Sequence, residues 1–405
     1  VSNPTSSEYS LGYCTNVHAG TDVPTIRDNL QEHAVTARKC LGEDQLGVGL
    51  WLPNQASGEL MNGSAAEDFR QFLDASGLRA FTINGFPYDN FHQKVVKHRV
   101  YLPPWWDRRR LDYTERLANI LAVLLPESEP VGSISTLPIG WAHNPQDAEL
   151  SAGDQQRLLA RAGEYLRQIA AILADVRART GRRIVLAIEP EPGCILDTSA
   201  DLVAWFDQHL PEQQHREFIT VCHDVCHAAV MMETQADVLT RFARAGIAVG
   251  KVQVSSAVVA DWSAMDPAGQ QEAFTQLAEF AEDRYLHQTG RLTAAGEFQL
   301  TEDLHQLVAA GENAEGDQKW VVHFHVPVFL ERFGRLTTSH DDVLECLRTL
   351  SALRTSESTK LNFTGHLEVE TYAWTVLPAA MRKRSLAEDI AGEMAWLARS
   401  IESIL

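Results

Sequence analysis

The chain has 405 residues, 45% hydrophobic and 22% charged, an ordinary globular composition. Its 54 acidic and 35 basic side chains leave a net charge of −19 with His neutral, which argues against a phosphate-tracking nucleic-acid binder or an anionic-membrane binder. No run of about 18 apolar residues predicts a membrane span, residues 1–10 lack the regions of a signal peptide, and six cysteines are too sparse for a disulfide framework. These features point to a cytoplasmic protein.

In chain order, short apolar runs alternate with amphipathic helical patterns. The runs are 11–17, 46–52, 80–86, 131–137, 184–188, 218–222, 247–254, 320–329 and 367–374. Most are apolar throughout, as strands buried on both faces must be. Ser151 and Asp154 open a helix whose stripe runs from Leu158 to Val176 and stops at Gly181. Ser385 and Glu388 open the last helix in the same way. Repeated strand–helix alternation predicts a parallel sheet, and eight units close a (β/α)8 TIM barrel. Nine runs leave one extra strand. An open doubly wound sheet competes, but no G-x-G-x-x-G follows any strand. One domain spans 1–405. A long aromatic and cationic loop, 85–111, reads as a lid. An insertion, 261–319, carries a helix near 268–282 and a hairpin near 285–300.

Barrel chemistry gathers at the C-terminal ends of strands. The fifth run ends in Glu189, whose burial after five apolar residues implies a metal or a cation, or a structural salt bridge. The sixth ends in Cys222-His223-Asp224-Val225-Cys226-His227; the D-x-x-H spacing lets Asp224 and His227 face one point. Cys222 and Cys226 read as core residues, because no second pair completes a four-cysteine site. In the seventh run Lys251 and Gln253 share a face. In the eighth His323 and His325 share a face, and Glu370 is the better placed of Glu368 and Glu370 in the ninth. Carboxylates and imidazoles at four strand ends point to a divalent metal ion, with Mn, Co, Mg or Zn all open. Candidate ligands are Glu189, Asp224, His227, Gln253, His325 and Glu370. Glu189, Glu370 and Lys251 are candidate catalytic groups. His227, Gln253, Asn84, His323 and Trp106 are candidates for substrate contact. Neither a G-x-S-x-G elbow nor a phosphate loop occurs, and Ser255-Ser256 carries no nucleophile signature.

Glu189, Asp224 with His227, Gln253 and Glu370 resemble, in order, the ligand pattern of the xylose-isomerase-like barrel superfamily, which holds sugar isomerases, epimerases and apurinic endonucleases. Gln253 departs from it, standing where most members place His; His325 is the alternative ligand. The phrases at 13–18, 81–88, 133–138, 323–329 and 367–372 are similar to the EboE family of metabolite-traffic proteins. That resemblance implies a small polyol or cyclitol-like substrate in a biosynthetic or export pathway. The leading expectation is a metal-dependent isomerase or epimerase. One alternative is a metal-dependent hydrolase of endonuclease type, with His18, His92, His323 and His325 as extra ligands. The other is a non-catalytic binding or trafficking protein. A homo-oligomer is left open, with subunit contact as the second reading of the 85–111 loop.

Overall fold

In a computed structural model the described residues are 9–142, 151–311, 316–382 and 384–404. In chain order the strands are β1 (Ser10–Cys14), β2 (Leu46–Trp51), β3 (Leu78–Asn84), β4 (Val131–Thr136), β5 (Arg183–Ile188), β6 (Ile219–Asp224), β7 (Val249–Val254), β8 (Val258–Asp261), β9 (Thr289–Thr293), β10 (Phe298–Thr301), β11 (Asp317–Val322), β12 (Arg332–Phe333), β13 (Leu336–Thr338) and β14 (His366–Val369). Eight of them close a barrel in the order β1-β14-β7-β6-β5-β4-β3-β2, parallel at every pairing. The fold is thus the (β/α)8 barrel that the alternation predicts.

Local chemistry sets the helix ends. Ser151 and Asp154 form a reciprocal capping box on the helix Ala152–Thr180, and Gly181 ends it in the left-handed conformation at φ 72°. Ser385 and Glu388 bond each other's backbone amides in the same way ahead of Leu386–Ile404.

The run at 320–329 is no barrel strand. Its regular part, β11, ends at Val322, and 323–329 follows without strand pairing. β11 lies in a second, antiparallel sheet of order β10-β9-β11-β8-β13-β12, inserted between β7 and β14. Short hairpin connections permit antiparallel pairing here, whereas the barrel strands need helical crossovers. The second sheet takes in residues on both sides of the 261–319 stretch. Its Trp262, Trp320 and Phe324 pack with Phe91 and Val96 of the 85–111 loop and with Trp51 and Tyr372 from the barrel's C-terminal end. Insertion and loop therefore share one apolar cluster beside the barrel mouth. Arg110, fully buried, fixes the loop's ends by donating to the carbonyls of Pro103, Gly85 and Phe86 at 2.9, 2.9 and 3.0 Å.

Inside the barrel Lys251 and Glu368 form an ion pair at 2.6 Å, both side chains fully buried. Burial lowers the Lys251 pKa, but the facing Glu368 outweighs it and keeps the ammonium charged. Gly49 makes room for this pair: a Cβ there would stand 1.2 Å from a Glu368 carboxylate oxygen. Breaking a buried pair leaves one charge stranded. Lys251→Met should therefore lose about 3–5 kcal/mol of stability, read from urea midpoints, and Lys251→Met/Glu368→Leu should recover most of it.

His366 opens β14 beneath this pair, its Nδ1 2.8 Å from the Ser133 hydroxyl. Burial, with the Lys251 charge adding to it, pushes its pKa down from 6.5 to about 3. Between those values the unfolded chain binds more protons than the fold, so stability falls as pH drops from about 6.5 to about 3. The slope from this one group is at most about 1.4 kcal/mol per pH unit. His366→Leu should flatten the acid limb of a stability–pH curve by that amount; an unchanged slope would remove His366 as its source.

Candidate metal centre

The C-terminal ends of β5, β6 and β14 bring Glu189, Asp224 and Glu370 together, all buried, with ligand oxygens within 4.8 Å of one another. Glu189 follows β5 directly and its amide bonds the carbonyl of Thr136 on the neighbouring strand. Asp224 ends β6 and caps the short helix Val225–Val230. Its Oδ1 accepts from the His227 amide at 2.9 Å and the Ser255 hydroxyl at 2.7 Å, and its Oδ2 has no hydrogen-bond partner. Glu370 is held through Oε1, which accepts from the amides of Asn16 at 2.7 Å and Asn84 at 2.9 Å.

Three acidic groups this close cannot all ionise cheaply without a counter-charge. Burial, then Glu370 and Asp224, push the Glu189 pKa well up; burial, then Asp224 and Glu368, do the same at Glu370. Asp224 moves the other way. Burial raises it, but the facing His227 and His325 imidazoles and its two hydrogen bonds outweigh that.

Three imidazoles stand over the carboxylates. His227 lies on the turn after Asp224, while His323 and His325 come from the irregular segment after β11 rather than from a strand. Burial holds the pKa of His323 well below 6.5 and that of His325 at about 4, so both rings are neutral near pH 7. The cavity is lined by Asn16, Asn84, Glu189, Glu191, His227, His323, His325 and Glu370, and roofed by Phe86, Phe91, Val96, Tyr101, Tyr285 and Tyr372.

Gln253 is fully buried on β7, in register with Asp224, and both its amide atoms lack partners. Residues in register face the same side of a parallel sheet, so Gln253 points inward with Asp224. The donor set fits a divalent cation. Glu189 Oε2, Asp224 Oδ2, Gln253 Oε1 and His325 Nε2 are buried without protein partners. Such groups are rare in folded proteins unless something else satisfies them.

Other sequence candidates lie elsewhere. Lys251 is committed to Glu368 and does not line the cavity, and Trp106 is likewise absent from its lining. His18 bonds the Tyr13 hydroxyl and stacks on His33, and His92 bonds the Asn16 carbonyl; neither lines the cavity. The cations of the 85–111 loop are not gathered at the mouth. Arg108 pairs with Asp112, Arg109 with Asp107, and Arg110 is spent on carbonyls. Lys97 alone of the loop's Lys and Arg residues lines the cavity, and it pairs with Asp303 at 2.6 Å. Asn16, Glu191, Tyr101 and Gln288 are not singled out by sequence reasoning, although Glu191 lies two residues past Glu189 and Asn16 in the polar end of the first run. Tyr101 donates to Glu191 at 2.8 Å, and Gln288 donates to the same oxygen at 3.2 Å.

No helix among the described residues is long and apolar enough to cross a membrane. No protein-family model and no curated protein matches the chain. Among solved structures, a xylose isomerase-like TIM barrel protein from Mycobacterium smegmatis in complex with magnesium aligns over 98% of both chains, at 11% identity and TM-score 0.52. The IOLI protein with a bound zinc atom aligns over 98% of this chain and 99% of its own, at 10% identity and TM-score 0.47. A D-tagatose 3-epimerase-like protein aligns over 97% of both chains, at 12% identity and TM-score 0.47. At these identities the likeness bears on architecture alone, and the first of them, with the closed eight-stranded topology, makes this chain a xylose-isomerase-like TIM barrel in fold.

Proposed function

We propose that this chain is a divalent-metal-dependent isomerase or epimerase of a sugar, cyclitol or related polyhydroxy carbonyl compound. One observation carries the reading: Glu189, Asp224 and Glu370 converge, buried, on one cavity, with carboxylate oxygens left without partners. The ligands would be these three with Gln253 or an imidazole. When bound, the cation would polarise a substrate carbonyl and stabilise the oxygen of an enediolate.

The chain's own groups supply the rest. Glu189 and Glu370 stand on β5 and β14, which are separated in the barrel by β6 and β7, so they reach a bound substrate from different sides. One removes the proton beside the carbonyl, and the other returns a proton to the opposite face. Asn16 and Asn84 fix the orientation of Glu370 for this work. The imidazoles contact substrate hydroxyls, and the aromatic roof excludes water. The phrases similar to the EboE family support a cyclitol-like substrate within a biosynthetic or export route.

A metal-dependent hydrolase is the second reading, and the imidazoles of His227, His323 and His325 favour it. The two separate by product: a hydrolase releases an alcohol, sugar or phosphate fragment, whereas an isomerase conserves mass.

Glu189→Gln should lose most of its metal by elemental analysis, and added Mn2+, Co2+, Mg2+ or Zn2+ should raise the melting temperature of the native chain but not of the variant. A native chain that retains no metal and ignores all four ions would defeat the reading. With a true substrate in D2O, turnover should place deuterium on the single carbon beside the carbonyl, seen by NMR. Glu370→Gln should stop that labelling, with metal content measured alongside. Mass-conserving turnover without exchange, under conditions where the free base equilibrates with solvent, contradicts the proton-transfer route.

A further inference from the structure

We infer that the cavity is built for two cations that share Asp224. The first sits on Glu189, Asp224 and Glu370, and is the ion on which the proposed function rests. The second sits on Asp224, His227 and His325, with His323 beside it.

The imidazoles are prepared as ligands. Each Nδ1 meets an oxygen: His227 the Pro190 carbonyl at 2.8 Å, His325 the Glu370 carbonyl at 2.8 Å, and His323 the Gln288 Oε1 at 2.7 Å. A carbonyl can only accept, so these Nδ1 atoms carry the proton. The Gln288 amide is oriented by its own network, because its nitrogen donates to the Pro192 carbonyl at 3.2 Å. That leaves the lone pair on each Nε2, the arrangement of a metal-ligating His with its outer partner in place.

The Nε2 atoms of His227 and His325 lie 4.0 and 3.9 Å from Asp224 Oδ2. Those spans exceed a hydrogen bond, yet fall within the reach of two donors each about 2.0–2.2 Å from one ion. His323 closes in with ring centroids 4.6 Å from His227 and 5.2 Å from His325. His323 Nε2, His325 Nε2 and Asp224 Oδ2 are all buried without a partner. Leaving three such atoms unsatisfied is costly.

One ion does not gather both sets. Among the described residues, the triad of carboxylates and the triad Asp224, His227 and His325 have only Asp224 in common. Charge points the same way. Glu189, Glu191, Asp224 and Glu370 are four buried carboxylates, and no Lys or Arg ion pair described in the structure involves any of them. Two divalent ions balance four carboxylates. The imidazole position suits Zn2+ or Co2+, while the carboxylate position also accepts Mg2+ and Mn2+. Two neighbouring ions select a substrate with two adjacent oxygens, an α-hydroxy carbonyl, one oxygen toward each.

The test is a count. The full chain is stripped with chelator, dialysed against Co2+ and freed of unbound ion; cobalt per chain is then measured, with the visible spectrum recorded. The native chain should hold two ions. His325→Gln should keep one and lose the band of the imidazole site, whereas Glu370→Gln should keep one and retain that band. A native chain that saturates with one ion overturns the second site and leaves the proposed function standing. A native chain that binds none overturns both. The native count decides the matter even where a variant fails to fold.

Discussion

Burying carboxylates is expensive, and this barrel buries four at one end. Each oxygen there needs a donor or a cation. The surrounding side chains answer part of that need. Asn16 and Asn84 bond one oxygen of Glu370, Ser255 and the His227 amide bond one oxygen of Asp224, and Tyr101 and Gln288 bond one oxygen of Glu191. These neutral donors orient the groups without neutralising them, and Asp224 Oδ2 and Glu189 Oε2 remain unpartnered. A protein that needed only stability would have placed an Arg or apolar residues here. The nearest buried ammonium, Lys251, is taken by Glu368.

The insertion between β7 and β14 is what separates this barrel from a bare one. It adds imidazoles over the carboxylates and supplies the parts that hold them. Gln288, just ahead of β9, positions His323 from the side. His287, itself bonded to Glu282, meets the His323 carbonyl at 3.0 Å. The segment 323–329 leaves the strand conformation after Val322, which frees His323 and His325 from the pleat. The 85–111 loop closes the other side. Its backbone amides at Val96 and Lys97 bond the Arg284 carbonyl, so loop and insertion are tied to each other across the mouth.

The fate of the loop's charges shows why a cationic run is a poor guide to a binding surface. Three consecutive arginines, Arg108 to Arg110, look like an anion trap. Two neutralise nearby aspartates at the start of a helix, and the third is buried as a structural clamp whose pKa burial lowers to about 10. A planar guanidinium with five donors serves three carbonyls as readily as it serves a phosphate.

The sequence by itself determined the barrel and most of the carboxylate site. Strand–helix alternation, apolar runs and capping boxes are local signals, and a barrel places strand ends together by construction; Glu189, Asp224, His227 and Glu370 could be read because each ends a strand or sits one turn beyond. Tertiary structure alone decided three things. It sent the run at 320–329 to a second sheet, since an apolar run does not reveal which sheet it joins. It put Lys251 on Glu368 instead of in the cavity, because two inward residues of one strand sit at different depths. It brought Asn16, Glu191, Tyr101 and Gln288 to the centre from four distant parts of the chain, through contacts between strand ends, a loop and an insertion that no local spacing encodes.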